Sequence, residues 1–262
     1  MFARAACCLV FAAACAAPAS ADDTGQSLEA LAQQKLNPLA EAINLPATLS
    51  FGFGFGPRHD VQPSLTFQPL FPLRLSEDWR LVTRSNASII DIPGPDGVTG
   101  LADIDVSFFL TPAKTATWVW GAGPILQFPT ATNDALGTGK WSAGPTGVLA
   151  YVDGPWLNGL LVSQLWSFAG PSSREDVSLT QIEVKLSYQF SSGWYVDTNP
   201  TMTYDWKAPG GQGWTIPVGM DVGKVFKLGN QAMSLQVGAY YNAKKPAGTA
   251  DWVLETQFTL IY

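Results

Sequence analysis

Charged side chains on two neighbouring predicted strands are the residues best placed to do chemistry in this sequence. Asp103 and Asp105 share one face of an extended run, and Arg80 and Arg84 share one face of the strand before it. With Arg74 they would form a patch of opposed charges. Metal binding by the two aspartates would require further oxygen ligands. Two hypotheses remain open: a constriction that selects solutes by charge, and a network of ion pairs that fills a narrow lumen.

A glycine-rich run resembles part of a phosphate-binding loop. Gly137-Thr-Gly-Lys140 ends on the required lysine, but Asp134 stands where the first glycine belongs, and Trp141 follows the lysine instead of Ser or Thr. We therefore expect an outer loop between two strands, with Lys140 attracting anionic ligands at the mouth of a pore.

The single histidine, His59, is the one candidate for acid–base catalysis. Asp60 beside it and Ser64 nearby leave a membrane-embedded hydrolase as an alternative function. A catalytic triad is assembled from residues that lie apart in the sequence. We therefore expect a solvated histidine in a tight turn, and the sequence indicates no catalytic residue, metal site or cofactor.

The elements that would position these residues are strands, because hydrophobic residues alternate with a period of two from Thr48 onward. In the last run, Glu255, Gln257 and Thr259 alternate with apolar residues, and the chain stops on Tyr262. An apolar outer face, a polar inner face and aromatic ends are typical of a transmembrane β-barrel strand. We predict an all-β, antiparallel up-and-down transmembrane β-barrel of about 12 strands, with ten possible if two weak runs are misassigned.

The predicted strands alternate between short turns and longer polar loops, which places both ends of the barrel sequence on the periplasmic side. Tryptophans flank the strands at both ends, as in aromatic girdles. The predicted strands are 48–56, 61–75, 79–92, 101–111, 117–129, 141–152, 157–169, 178–190, 194–206, 214–226, 232–243 and 252–262. Bulges or shortened strands are expected at the internal prolines, which are Pro63, Pro69, Pro72, Pro124, Pro145, Pro200 and Pro217.

The polar faces of these strands predict the lining of a lumen. The expected pore-lining residues are Arg80, Arg84, Asp103, Asp105, Glu183, Lys185, Asp197, Asp205 and Glu255.

The N-terminal part of the chain differs from the rest. Residues 1–21 read as a signal peptide, with Arg4, an apolar run and an A-x-A site that ends at Ala21. A lipoprotein acylated at Cys15 is the weaker alternative. Residues 22–47 have helical spacing and form either a periplasmic segment packed under the barrel or a plug in its lumen; residues 48–262 form the barrel.

Composition argues against several classes of protein. The formal net charge is −6, and loss of Arg4 would make it −7, so a nucleic-acid partner is not expected. Cleavage would also remove all three cysteines, which leaves no disulfide framework. Ten tryptophans in a weakly charged chain suit a membrane protein.

Three runs carry a resemblance to a known family, namely Pro129–Pro145, Leu165–Gly170 and Ser192–Tyr195. They resemble bacterial outer-membrane barrels often mislabelled "neuromedin U", which are related to the phenol-degradation meta-pathway barrel group labelled "transporter". The resemblance extends over nearly all of the mature chain. It implies a Gram-negative outer-membrane barrel that passes small molecules, and it implies no catalytic residues.

We therefore expect a porin-like outer-membrane channel or passive transporter for an unidentified small solute. The alternatives are the hydrolase and a closed structural or adhesive barrel. Outer-membrane lipid is the expected surrounding, and the terminal strand that ends in Tyr262 resembles the signal read by the bacterial barrel-assembly machinery.

Overall fold

The computed structural model describes residues 27–95, 97–114 and 116–262. The predicted signal peptide, the alternative lipoprotein site and the first residues of segment 22–47 lie outside these ranges.

Twelve antiparallel strands form a closed barrel, which confirms the predicted fold and count. Every strand pairs with its sequence neighbours, and β12 pairs with β1 to close the sheet. Three strands are interrupted. The strands are β1 (Asn44–Phe55), β2 (Asp60–Phe67 and Leu70–Arg74), β3 (Trp79–Ile92), β4 (Val98–Leu101 and Ile104–Pro112), β5 (Trp118–Phe128), β6 (Trp141–Asp153), β7 (Trp156–Ala169), β8 (Ser178–Gln189), β9 (Trp194–Thr198 and Thr201–Asp205), β10 (Trp214–Leu228), β11 (Gln231–Lys244) and β12 (Trp252–Ile261).

The outer face of the barrel is apolar and is bounded by aromatic residues. Alternate residues such as Phe51, Leu186 and Met220 are exposed on this face. Trp156 meets Tyr188 edge to face at one rim, and the tilted rings of Trp252 and Tyr241 contact each other at the other. This belt suits a bilayer, since its apolar side chains face lipid and its aromatic rims face the interfaces. No helix of the described residues is long and apolar enough to cross a membrane.

Several internal prolines interrupt the sheet, as predicted. Pro69 and Pro200 lie in the gaps within β2 and β9, and the register between β10 and β11 shifts at Pro217. Pro63 lies in an uninterrupted segment, paired with Phe51. Pro72 likewise stays within a strand segment, paired with Val82.

Strand β1 starts at Asn44 rather than at residue 48, because its outward face continues through Leu45 and Ala47. Asn44 pairs with Ile261, so β1 and β12 run together to the ends of both strands. We call the end of the barrel that carries Asn44 and Ile261 the terminal end, and the opposite end the loop end.

Helix α1 (Leu28–Leu36) lies inside the terminal end of the barrel. The Ala30 amide donates to the Ser27 hydroxyl at its start, 3.2 Å away. One face of the helix packs against lumen-facing side chains of the strands. The resulting apolar cluster comprises Leu31, Ala32, Leu36, Ala42, Leu157, Tyr195, Val225, Ala232 and Ile261. The buried stripe fixes the helix against β7 and β9–β12, since apolar groups gain by leaving water.

A second cluster fills the other side of the terminal end. Leu39, just after the helix, is fully buried there, and its partners are Leu70, Val82, Phe109, Val148 and Leu161. Residues 28–43 therefore stretch across the lumen and pack against strands on both of its sides. Two short 3₁₀ turns, Ser191–Gly193 and Pro209–Gly211, complete the helical elements of the described chain.

Candidate functional site in the lumen

A polar cavity of about 480 Å³ lies inside the barrel. Its wall comes from β8–β12 and β1–β3, and residues 35–38 form its boundary at the terminal end. The part of the lumen beside β4–β7 is packed instead with buried apolar side chains such as Phe109, Ile125 and Leu165. The lumen thus has one polar, hollow side and one apolar, filled side.

An ion pair separates the two sides. Nη1 of Arg84 on β3 lies 2.9 Å from both Oε1 and Oε2 of Glu183 on β8. Strands β4–β7 lie between these two strands on one side of the barrel, and the remaining strands lie between them on the other. The pair therefore crosses the lumen. Asp105 stands beside it and accepts from the Asn86 amide at 3.1 Å.

Arg80 binds the N-terminal segment. Its Nη1 lies 2.6 Å from Glu41 Oε1, and its Nη2 donates to the Leu39 carbonyl at 3.2 Å. The guanidinium group is buried, whereas the Glu41 side chain is 57% exposed. Arg80 thus ties the segment to β3 through both a charge and a backbone carbonyl.

Three carboxylates stand at one level of the cavity wall. Asp197 pairs in register with Asp221, Asp221 pairs with Gly238, and Gly238 pairs with Glu255. Lys185 Nζ lies 2.8 Å from Asp197 Oδ2. We call Asp197, Asp221 and Glu255 the acidic row.

The partners of Asp197 and Asp221 differ. The Ser187 hydroxyl donates to Asp197 at 2.5 Å, so that carboxylate has both a cation and a hydroxyl. The Tyr240 hydroxyl donates to Asp221 Oδ2. Asp221 Oδ1 is buried and has no hydrogen-bond partner among the described residues.

Lys35, in the last turn of α1, points its ammonium group into the cavity. Its Nζ donates to Gln236 Oε1 at 2.5 Å and lies 4.7 Å from the centroid of the Tyr195 ring. The Tyr195 hydroxyl in turn lies 2.7 Å from the Ser234 hydroxyl. Burial lowers the pKa of Lys35, and the charges of the acidic row oppose that shift.

At the loop end, Asp103 holds the loop between β5 and β6. Its Oδ1 accepts from the Ala131 amide at 3.1 Å, and its Oδ2 accepts from the amide and hydroxyl of Thr138 at 2.6 and 2.8 Å. The interruption of β4 at residues 102–103 lets this carboxylate turn toward the loop. Asp205 likewise accepts a hydrogen bond from a backbone amide at the loop end, that of Lys207, at 2.8 Å.

Lys140 joins two loops at this mouth. Its side chain is only 8% exposed, and its Nζ lies 3.2 Å from Asp176 Oδ1. The hydrogen bond and charge of Lys140 hold the pKa of the exposed Asp176 carboxyl below its usual range. Arg174, in the same loop as Asp176, donates through Nε to the Thr138 carbonyl at 3.0 Å. Lys140 is thus engaged with its neighbouring loop.

The residues predicted to line a pore separate into two groups. Arg84, Glu183, Lys185, Asp197 and Glu255 line the cavity. The others lie elsewhere: Arg80 under the N-terminal segment, Asp103 and Asp205 at the loop end, and Asp105 beside Arg84.

The predicted patch of opposed charges is not brought together as one group. Arg80 binds Glu41, Arg84 binds Glu183, and Asp103 binds the loop. Arg74 donates to the Ser76 carbonyl at 3.2 Å, in the turn after β2. The ion pairs of this region therefore reach across the barrel and to the N-terminal segment rather than between adjacent strands.

Sequence reasoning missed Asp221, Lys35 and Glu41. Asp221 alternates with Met220 and Val222, so the period of two could have identified it as a lumen residue. Lys35 and Glu41 carry no such signal, because their roles depend on where the N-terminal segment lies.

His59 lies in the exposed turn between β1 and β2 with a positive φ of 54°. Its side chain makes no hydrogen bond to any described residue, and Arg58 bridges past it to Asp60 at 2.7 Å. Ser64 lies within β2, where it pairs in register with Ser50.

Comparison with known proteins finds a solved structure with a similar barrel fold. No protein-family model matches the sequence, and no curated protein matches it significantly. The structure is similar to an outer membrane channel of Pseudomonas putida F1, with a TM-score of 0.64 and 12% identity over 87% of this chain and 98% of that one. A bacterial polysaccharide outer membrane secretin aligns over 85% of this chain and 98% of its own, at 11% identity and a TM-score of 0.34, which is too low to support an argument.

Proposed function

We propose that this protein is an outer-membrane channel through which small polar solutes pass passively. The observation that carries the proposal is a closed barrel with an apolar outer belt around a polar cavity of about 480 Å³. Such a belt requires a bilayer. The polar interior offers polar solutes a path across that bilayer which avoids the lipid. The similarity of the fold to an outer membrane channel supports this proposal, as does the sequence resemblance to the "neuromedin U" and "transporter" barrels.

The route runs through the hollow side of the lumen, past the Arg84–Glu183 pair. Solutes that pass there meet charges of both signs, with Arg84 and Lys185 facing Glu183 and the acidic row. Charged groups that line a narrow passage select solutes by charge as well as by size.

The N-terminal segment acts as a gate in this account. Residues 28–43 lie across the terminal end of the lumen, where Arg80 holds Glu41 and Gln236 holds Lys35. Passage requires this segment to move aside. The apolar contacts of Leu36 and Leu39 oppose that movement, so we expect the closed state to predominate.

Outer-membrane location is tested by gel migration. Protein extracted from outer membranes should migrate faster unheated than boiled, because a barrel with β1 paired to β12 resists detergent unfolding. Recovery from the soluble periplasmic fraction without a heat-dependent shift would contradict the location. The exposed Tyr262 at the end of β12 is the residue that we propose the assembly machinery reads.

Solute passage is tested by liposome swelling with neutral sugars of increasing size. Channel function predicts swelling with the smallest sugars and loss of swelling as size rises. No swelling with any sugar, in the wild type and in Arg80→Ala alike, would favour a closed structural or adhesive barrel. Activity toward ester substrates that disappears in His59→Ala would favour the hydrolase instead.

A further inference from the structure

We propose that the acidic row binds the ammonium groups of small cationic solutes, and that Lys35, whose ammonium group lies in the same cavity, acts as a tethered competitor for the row. This inference rests on the proposed channel function, because it names the class of solute and the event that opens the gate.

The first support is the arrangement of Asp221 and Glu255 on either side of Gly238. The three residues pair in register on adjacent strands β10, β11 and β12. A side chain at position 238 would collide with the Asp221 carboxylate, so only glycine leaves room for the carboxylate to lean over β11 toward Glu255. Two carboxylates therefore converge on the cavity from non-adjacent strands.

The second support is an unpartnered oxygen. Asp221 is 1% exposed, lines the cavity, and leaves Oδ1 without a hydrogen-bond partner among the described residues. Neither Asp221 nor Glu255 forms an ion pair in the described chain, since Lys185 is bound to Asp197 and Arg84 to Glu183. A buried carboxylate without a cationic partner is costly, so the row favours a cation from solution.

The third support is the chemistry that surrounds Lys35. Its ammonium group is held by an amide oxygen of Gln236 and by the face of Tyr195, while the acidic row attracts it electrostatically. An aromatic face together with nearby carboxylates is the combination that recognises ammonium groups.

These observations connect binding to gating. A solute that enters from the loop end reaches the acidic row before it reaches residues 35–38 at the terminal boundary of the cavity. A bound ammonium group would screen the attraction between the acidic row and Lys35. This weakens one of the attractions that hold the N-terminal segment and shifts the population toward the open state.

Calorimetry on the purified, full-length barrel tests the site without requiring conductance. The probe is putrescine, and 1,4-butanediol is the uncharged control of similar length. We expect putrescine to bind and butanediol not to bind. The double variant Asp221→Asn with Glu255→Gln should weaken putrescine binding by about tenfold or more, because both substitutions keep size and remove charge.

Lys35→Gln should have the opposite effect and strengthen putrescine binding, since the tethered competitor is gone. Lys224→Gln is the matched control: its Nζ lies 5.1 Å from the Trp194 ring centroid, outside the lumen, and binding should not change. Equal putrescine affinity in the wild type and the double variant would overturn the site, and equal affinity in Lys35→Gln would overturn the competition. Binding with the expected variant pattern but without solute passage would leave the site intact and contradict channel function alone.

Discussion

Arg84 and Glu183 connect opposite walls of the barrel, with Nη1 of the arginine 2.9 Å from both carboxylate oxygens. The two side chains are 20% and 14% exposed, so the pair is largely removed from water. It borders the apolar packing inside β4–β7 on one side and the polar cavity on the other. A single contact thus limits the width of the lumen and links strands that share no backbone hydrogen bond.

Replacing Arg84 by Ala should lower stability and change the ion preference. Glu183 would lose its hydrogen-bonded partner, which should cost about 1–3 kcal/mol in a partly hydrated lumen. The vacated volume and the uncompensated carboxylate should raise conductance and favour cations. Thermal unfolding and reversal-potential measurements check both effects.

The double variant Arg84→Ala with Glu183→Ala is the control for that experiment. It removes both charges, so it should be more stable than Arg84→Ala alone. If Arg84→Ala changes neither unfolding nor ion preference, the ion pair does not form in the membrane.

Arginine should be tolerated on the lumen face of the barrel and costly on its outer face. Leu186 is exposed on the outer face of β8, so Leu186→Arg should cost about 2–4 kcal/mol if it lies near the bilayer midplane. Thr201 lines the cavity, and Thr201→Arg should be accepted there. Folding yield in lipid vesicles measures the difference, and similar losses in the two variants would invalidate the assignment of faces.

From sequence alternation alone, Ser187 would have been chosen as the lumen-facing position for the arginine control. The structure argues against that choice, because Ser187 is 1% exposed and donates to Asp197 at 2.5 Å. An arginine there would break this contact and overfill a packed position. The period of two thus identifies the face of a residue but not whether that face is hollow or filled.

The loop contact between Lys140 and Asp176 should weaken in acid. The pKa of Asp176 is lowered in the folded state, so its contribution is present above its ordinary pKa and is lost as the pH falls through the lowered value, below about pH 4. Hydrogen exchange of amides in the loops 129–140 and 170–177 should then accelerate. Asp176→Asn should show faster exchange already at neutral pH.

Glu175→Gln is the matched control for the loop experiment, because Glu175 forms no ion pair among the described residues. Hydrogen exchange of the loop amides in Glu175→Gln should match that of the wild type at neutral pH. If Asp176→Asn exchanges no faster than Glu175→Gln, Asp103 and Arg174 hold the loops without help from Lys140.

The sequence predicted local features better than contacts across the lumen. Alternation in 178–190 and 252–262 identified strands and their faces, because side chains in a strand point to opposite sides in turn. The predicted number of strands followed from counting such runs. The partner of Arg84 could not be predicted, since Glu183 lies 99 positions away and meets it only once the barrel closes.

The acidic row was only partly recognised for a similar reason. Asp197 and Glu255 follow the inward alternation of their strands, but their neighbourhood depends on register between β9, β10, β11 and β12. Gly238 matters only because it stands between Asp221 and Glu255. Lys35 lies in the same cavity as the row because α1 lies inside the lumen, which no local pattern in the sequence specifies.

Single-channel recording in planar bilayers tests most directly whether the barrel is a channel closed by its N-terminal segment. Wild-type protein should give small, infrequent openings, and Arg80→Ala should open more often, because the segment loses its attachments through Glu41 and the Leu39 carbonyl. Arg74→Ala is the matched control and should behave as wild type, since the side chain of Arg74 forms its one hydrogen bond within the described residues to the Ser76 carbonyl. The absence of current from both folded wild type and folded Arg80→Ala would contradict the account.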